Sequence, residues 1–504
     1  MTNLDFLNQF WIIVFFLIPI VLISRTVVAG TRYSPILIVV LFGLAMGFLL
    51  EYSGVSDPGL TAFPMVGIMA QTTIIALIAS FFVGGQELRK ILGRKSLAAK
   101  DMVTPADEEV ILGTTRTQMF LIVRSLFILL GMYGLMHAIQ GTGTPELSSY
   151  YPVIAYIGII GSLILIDNKA RITNKPLYLR KGVVELVLLL VVLLISYLIA
   201  QLVAPVIALP QIFFAMMVSA AIGAVFYKWT FGPTLRSLLF AGIPIVLAAN
   251  FLVGGSRIGE AFDIPGVNAV LVYGFFGQLV WMFGGIALLM YFARTSNARN
   301  LAPGMAGALS HSGLTGACTA GDFGKTAASR APIMINIPFF GHIFVFSILA
   351  VSAEQGSLWL WPALLLVAIG LGLTVLSLKN LRAAGGEDRR EVTSLMQFSF
   401  GWQLCAVFGG LAFLYMGPLA IDYAAMAQAS AISHFGLFAA IQEGMFGENA
   451  ALLIPFVFSM PFLVHPLVFY MFGRAMENGG DMPKKPVYIM AFIGLIGVTI
   501  SLFV

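Results

Sequence analysis

Apolar runs long enough to cross a bilayer recur along most of this chain. They fall at roughly 10–28, 33–50, 63–83, 119–137, 151–166, 183–203, 210–226, 236–253, 269–292, 332–351, 358–377, 398–416, 451–472 and 487–504. Runs of about 18 or more apolar residues mark transmembrane helices. In lipid the backbone of each must satisfy its own hydrogen bonds, which helices do. The pattern therefore predicts an all-α polytopic membrane protein with about 14 transmembrane helices. One stretch breaks it. Residues 303–330, PGMAGALSHSGLTGACTAGDFGKTAASR, are as long as a span but carry six glycines, a series of Ser and Thr hydroxyls, His311, Asp322 and Lys325. Each Gly in a helix costs about 1 kcal/mol relative to Ala. In hydrocarbon an irregular backbone survives only where protein or a water-filled cavity covers it. The segment reads as re-entrant, with non-helical backbone over 310–320, and as the binding site of a transporter. A second weak segment, 418–447, holds Asp422, Gln428, His434 and Glu443 and leaves two readings, re-entrant or interfacial.

Composition agrees with the membrane reading. Apolar residues make up 59% of the chain and charged residues 10%, against near 25% charged in soluble domains; the mean hydropathy is +0.95. The net charge of +5 concerns topology more than an acidic partner, because Lys and Arg gather on the cytoplasmic side. With the N-terminus outside, all 28 Lys and Arg fall on that side except Arg257, outside, and Arg124, within a span. Both termini are then expected outside, in a bacterial-type inner membrane. MTNLDFLNQF has no basic stretch before the first apolar run, so that run reads as a span and not as a cleaved signal peptide. No basic block with interleaved aromatics points to nucleic acid. Cys318 and Cys405 supply neither a disulfide framework nor a CxxC metal site.

Two spans end alike, FFVGGQELRK (81–90) and FLVGGSRIGE (251–260), and run in opposite directions under this topology. Each follows a proline-started span with glycines, and polar Gln71 and Asn250 precede the two ends. Gly84-Gly85 and Gly254-Gly255 are read as helix breaks. Opposed copies suit an inverted-topology transporter with its site at the repeat interface; chance is the bland alternative, since Gly is a common cap. The expected division is a first repeat over 1–166, a second over 183–351, and helices 358–504 as scaffold or oligomer contact.

FFVGGQEL at the end of its span resembles the start of a cation/proton antiporter core. Segment 310–329, with His311-Ser-Gly-Leu-Thr-Gly-Ala, is similar to the glycine-rich broken helix of the sodium/glutamate symporter family. The resemblance implies two inverted five-helix units, often dimeric, working by an elevator motion. The chain departs from it in two ways. The first repeat offers only Gly141-Thr-Gly-Thr-Pro145 as a counterpart to the broken segment, and the antiporters' paired intramembrane Asp residues are absent.

Candidate chemistry concentrates in the polar stretch. Broken helix ends expose N–H groups that suit an anion and carbonyls that suit a cation. Ser310, His311, Ser312, Gly313, Thr315, Gly316, Thr319, Asp322 and Lys325 are the candidate substrate ligands, with Gln71 and Asn250 from the paired spans. Glu87, Thr72, Thr73 and Asn336 are candidates for ion coupling. The bland readings stand beside them: Lys325 and Arg330 as topology anchors, Glu87 as a solvated boundary charge, and Gln71, Thr72, Thr73 and Asn250 as interhelical bonds. Arg124 is expected to snorkel. His342, His434 and His465 lie far apart in sequence and read as satisfied core residues. GDFGKT lacks the glycine spacing of a phosphate loop. No nucleophile–base pair and no metal cluster is evident, so neither an enzyme nor a resident cofactor is expected, only sodium or a proton as coupling ion. The expected function is secondary transport of a small organic anion, by a homodimer. A cation/proton antiporter or channel using Glu87, Asp322 and His311 is the alternative. A subunit of a membrane complex or a membrane-embedded enzyme is a further one.

Overall fold

A computed structural model describes residues 16–28, 33–53, 58–93, 115–141, 150–172, 176–206, 209–229, 232–256, 264–384, 388–417, 419–459, 461–501 and 503. Every named element is helical, and the β pairing among the described residues consists of two isolated bridges. In order these are α1 (Phe16–Val27), α2 (Ile36–Tyr52), α3 (Pro58–Gly93), α4 (Thr115–Gln140), α5 (Tyr151–Ile172), α6 (Pro176–Val203) and α7 (Gln211–Val225). Next come α8 (Pro233–Gly255) and α9 (Val267–Tyr291), each with a π-helical turn, at Leu238–Gly242 and Leu279–Phe283. They are followed by α10 (Ala298–Ala308), α11 (Ser312–Ala320), α12 (Gly324–Gln355), α13 (Leu360–Ala384) and α14 (Asp388–Tyr415). The chain finishes with α15 (Ile421–Ala431), α16 (Phe435–Gln442), α17 (Glu448–Ser459), α18 (His465–Glu477) and α19 (Lys484–Ile500). Eight described helices are long and apolar enough to cross a membrane, and three shorter ones are apolar. This is a multi-pass helical membrane protein.

The bundle has two distinguishable ends. At one, Tyr33 stacks on Tyr470, a Cβ on Gly473 would meet Tyr33, Ser34 bonds Asp322, and the Ala298 amide donates to Gly480. Lys325, Arg330, Arg474 and Lys484 cluster along the same segments, so we call it the basic end. At the other, the ends of α4, α6 and α12 meet the starts of α7 and α15 around a cavity of about 1030 Å³. Helix α12 joins the two: it begins beside Asp322 and ends at the cavity with Ala353 and Glu354. Its 32 residues cover about 48 Å at 1.5 Å rise.

Helices α10 and α11 form a hairpin. Asn300 bonds Arg330 while Gly307 packs on Met334, so α10 runs alongside α12 in the same direction. Three residues later α11 turns back towards Asp322, next to the start of α12. Both outer ends of this hairpin thus lie at the basic end. Helices α15 and α16 form a second hairpin whose outer ends, Ala420–Asp422 and Glu443–Gly447, line the cavity at the far end. Two hairpins enter one bundle from opposite ends.

The backbone corrects the extent of the anomaly. Residues 310–320 are not irregular throughout: 312–320 are helical and the break is confined to Leu309–His311. Buried hydrogen bonds favour helix wherever they can form, and the glycines are tolerated because all of α11 is covered by protein.

The Gly-Gly pairs also act differently from the expectation. Gly84 and Gly85 lie inside α3, which continues to Gly93, so they break nothing; Gly254 and Gly255 are the last residues of α8. All four are contact points. A Cβ at Gly84 would collide with Asn336 and Pro332 of α12, and one at Gly85 with the Ala220 carbonyl of α7. At Gly254 the obstacles are Ser459 and Pro455 of α17, and at Gly255 the Leu44 carbonyl of α2. Small residues let helix backbones approach closely where no hydrophobic force drives association. Helix α3 therefore packs on α7 and α12, and α8 on α2 and α17, in matching fashion.

Candidate functional site

The two hairpin tips meet in the interior. Each is built the same way. Helix α10 closes with the Ser310 amide donating to Gly307 (3.1 Å) and the His311 amide to Ala306 (2.9 Å); α15 closes with Ser433 to Ser430 (3.1 Å) and His434 to Ala429 (2.9 Å). Such a reversal needs a left-handed residue, commonly glycine. Here it is serine in both, with φ of 49° at Ser310 and 51° at Ser433. Holding a non-glycine residue there costs on the order of 1–3 kcal/mol and occurs where the surroundings over-determine it. A histidine follows in each tip and caps the next helix: His311 Nδ1 accepts from the Leu314 amide (3.1 Å) and His434 Nδ1 from the Leu437 amide (3.0 Å).

The tips then pair with each other. The Ser312 amide donates to the Ser433 carbonyl (3.0 Å) and the Phe435 amide to the Ser310 carbonyl (3.2 Å), an antiparallel bridge centred on His311 and His434. The Ser312 and Ser433 hydroxyls lie 2.8 Å apart. Two further histidines pack on the junction. His465 of α18 sits 4.5 Å from His311 between ring centres, and His342 of α12 sits 4.6 Å from His434. Gly313 and Gly436 make room for them, since a Cβ on either would meet the ring of His465 or His342 at 2.9 Å. Gln403 of α14 reaches His434 Nε2 at 3.2 Å. All four imidazoles are buried. No group of three or more His, Cys, Asp or Glu able to hold a metal forms among the described residues.

Of the expected ligands, Ser310, His311, Ser312 and Gly313 stand at this junction. Thr315 and Gly316 are one turn away; the Thr315 amide donates to the His311 carbonyl, and Gly316 packs on Ile36 and Ile243. Thr319 bonds its own helix at Thr315 (2.8 Å). Asp322 lies at the outer end of the hairpin, held by the Ser34 hydroxyl at 2.6 Å, and Lys325 is exposed beyond it. Burial pushes the Asp322 carboxyl up to about 6, against the opposing pull of Arg25 and Ser34. Asn250 donates to Val246 in its own helix, and Asn336 to Pro332 in its own helix while filling the space over Gly84. Thr72 and Thr73 are buried in α3; the side chain of Gln71, and Arg257, fall outside the described residues.

Gly141-Thr-Gly-Thr-Pro145, the expected counterpart of the broken segment, lies outside the described residues apart from Gly141; a second hairpin of the same build as the first is α15–α16. The helices of 358–504 thus supply half of the junction as well as any scaffold. His342, His434 and His465, distant in sequence, come together. Glu87 is fully buried, not a solvated boundary charge. Arg124 does not snorkel: it is buried against the hydroxyls of Ser237 and Tyr178, because α8 begins beside it. Arg25 is buried as well, donating to the Phe240 carbonyl that the π turn of α8 leaves available. Glu185, passed over in the sequence, accepts the amides of Gly232, Thr234 and Leu235 and so caps the start of α8.

A signal for the missed residues exists in the sequence. ALSHSGL (308–314) and AISHFGL (431–437) match, and at the same spacing further on Pro332, Pro338, Phe339 and His342 match Pro455, Pro461, Phe462 and His465. Comparison with known protein families, with curated proteins and with solved structures finds no match for this chain.

Proposed function

We propose that the chain is a secondary active transporter whose substrate binds where the two hairpin tips meet. The observation that carries this reading is the reciprocal bridge between Ser310–Ser312 and Ser433–Phe435, formed by hairpins that enter from opposite ends of one bundle. Non-helical backbone at membrane depth is tolerated where it lines a site, and inverted-repeat transporters place theirs at the repeat interface. In this reading fourteen crossings, α1–α9, α12–α14, α17 with α18, and α19, accompany two re-entrant hairpins. Both termini face the side opposite the basic end, which is cytoplasmic by the positive-inside rule. The inverted copies pair α1–α3 with α6–α8, and α9–α13 with α14–α19. That division replaces a break between 166 and 183, and an elevator-type exchange of access follows from it.

The preferred cargo is a small organic anion with sodium or a proton. The junction supports it with two helix N-termini, at Ser312 and Phe435, facing one another, together with serine hydroxyls and imidazoles. A cation/proton antiporter is favoured by a different observation, the Glu354, Asp422 and Glu443 carboxylates around the far-end cavity. Uptake of radiolabelled mono- and dicarboxylates into liposomes holding only this protein, under a sodium or a pH gradient, decides between them. Anion uptake driven by either gradient supports the first reading. Cation flux with no anion uptake supports the second, and no flux at all contradicts both.

A further inference from the structure

The histidine tautomers at the junction identify the coupling ion, on the footing that the junction is an anion site. His434 Nδ1 accepts the Leu437 amide, so the neutral ring carries its proton on Nε2. That N–H faces the amide of Gln403, 3.2 Å away, and needs an oxygen there. The amide is therefore read with its oxygen towards His434, which turns its NH₂ to the side that has no partner among the described residues. His342 is the reverse case. Its Nδ1 faces the Pro338 carbonyl at 3.3 Å, which only an N–H can satisfy, so Nε2 holds a lone pair. That Nε2 is fully buried, has no hydrogen-bond partner among the described residues, and lies over Gly436 at the N-terminus of α16. Buried polar atoms are nearly always satisfied, and an exception asks for a reason.

We propose that the cargo is a carboxylate moved together with a proton, that His342 Nε2 takes up that proton, and that the Gln403 NH₂ donates to the same carboxylate. The step is an addition: a proton from water joins the Nε2 lone pair, giving an imidazolium beside the bound anion, and leaves the same way on release. The groups packed on His342 are the His434 ring, Gly436, and Phe339 and Phe346 of its own helix; the titratable one among them is His434. Neither charge is stable there by itself. A buried imidazolium alone or a buried carboxylate alone is costly, while the pair offsets much of that cost. Coupling follows from this requirement that both bind or neither does.

The chain has five histidines, so the protein labelled with ¹⁵N-histidine gives a spectrum that single substitutions assign. At neutral pH without ligand, His342 is expected as the Nδ1–H tautomer and His434 as Nε2–H; an Nε2–H tautomer at His342 overturns the inference whatever the cargo. Acetate, added in sodium-free buffer against a chloride control, is the probe for the second step. It is expected to convert His342 to imidazolium at a pH where the control stays neutral, with about one proton taken up per anion bound. His342→Gln is expected to abolish that uptake. Acetate that raises thermal stability while His342 stays neutral overturns the proton assignment and keeps the anion site. Acetate that changes neither stability nor spectrum counts against the anion site itself and against the inference resting on it.

Discussion

The two hairpins share a tip and differ at their outer ends. Both reverse through a left-handed serine and a capping histidine. The first is then sewn into the basic end. Ser34 bonds Asp322 at 2.6 Å, Asn300 bonds Glu391 at 2.6 Å and also Arg330, and Ser296 bonds Asp481 at 2.7 Å. The second borders an opening of about 1030 Å³, where Glu443 accepts the Gln211 amide at 3.1 Å. Equivalent cores with unequal ends are what alternating access requires of one of its two states. On the transport reading proposed above, the tip is the common site and the ends decide which side reaches it: the basic end is tied by these bonds, and the far end carries the cavity, whose lining stops short of the tip residues.

Steric substitutions at the contact glycines test the pairing most severely. Gly84→Leu and Gly254→Leu drive side chains into Asn336 and Ser459, and overpacking of this kind costs about 1–3 kcal/mol or more. Both are expected to lower the melting temperature in detergent by a similar amount. A large loss at one and none at the other breaks the equivalence.

The tips come next. Ser312→Ala and Ser433→Ala each remove one side of a buried hydroxyl pair, and a double-mutant cycle is expected to give a coupling of about 1 kcal/mol. Additive losses separate the tips energetically.

Loosening the tied end is a smaller perturbation. Arg330→Met removes the cation that links Asn300 and Glu391. In a background with Cys318 and Cys405 replaced, Ser310→Cys is expected to react with impermeant maleimide mainly from the cavity side. Arg330→Met shifts reactivity towards the basic side by several-fold if the network holds that end closed. Unchanged sidedness removes it from the gate.

The smallest effect is a pH dependence at Asp322. Its carboxyl is raised to about 6 from an ordinary 3.8, so the folded form binds more protons between those values. Its contribution favours the fold below about pH 4 and is lost as the pH rises through 6. Asp322→Asn is expected to flatten the melting temperature across that window and leave it unchanged below. An identical profile in the variant ends that assignment.

The sequence carried the membrane class and one hairpin, because apolar length and glycine-hydroxyl density are local signals. It marked Ser310, His311, Ser312 and Gly313 for the same reason. The second hairpin was harder to see. Residues 435–442, FGLFAAIQ, are nearly as apolar as a span, so burial hid a tip whose short match to the first is Ala-x-Ser-His-x-Gly-Leu. His342 and His465 gave no local pattern at all; what unites them with the tips is packing across the bundle. The glycine pairs stood out as matching strings, yet their role did not. A glycine that ends a helix and one that admits a neighbour look alike until the neighbour is known.

The central claim is that hairpins from opposite ends touch at their tips, and crosslinking tests it directly. In the cysteine-free background, Ser312→Cys with Ser433→Cys places two thiols where hydroxyls lie 2.8 Å apart. With a protease site inserted between 385 and 387, mild oxidation is expected to keep the two fragments joined on a denaturing gel until reductant is added, and to stop uptake while they are joined. Fragments that separate under oxidising conditions, alongside a control pair at Ser296 and Asp481 that stays linked, would contradict it.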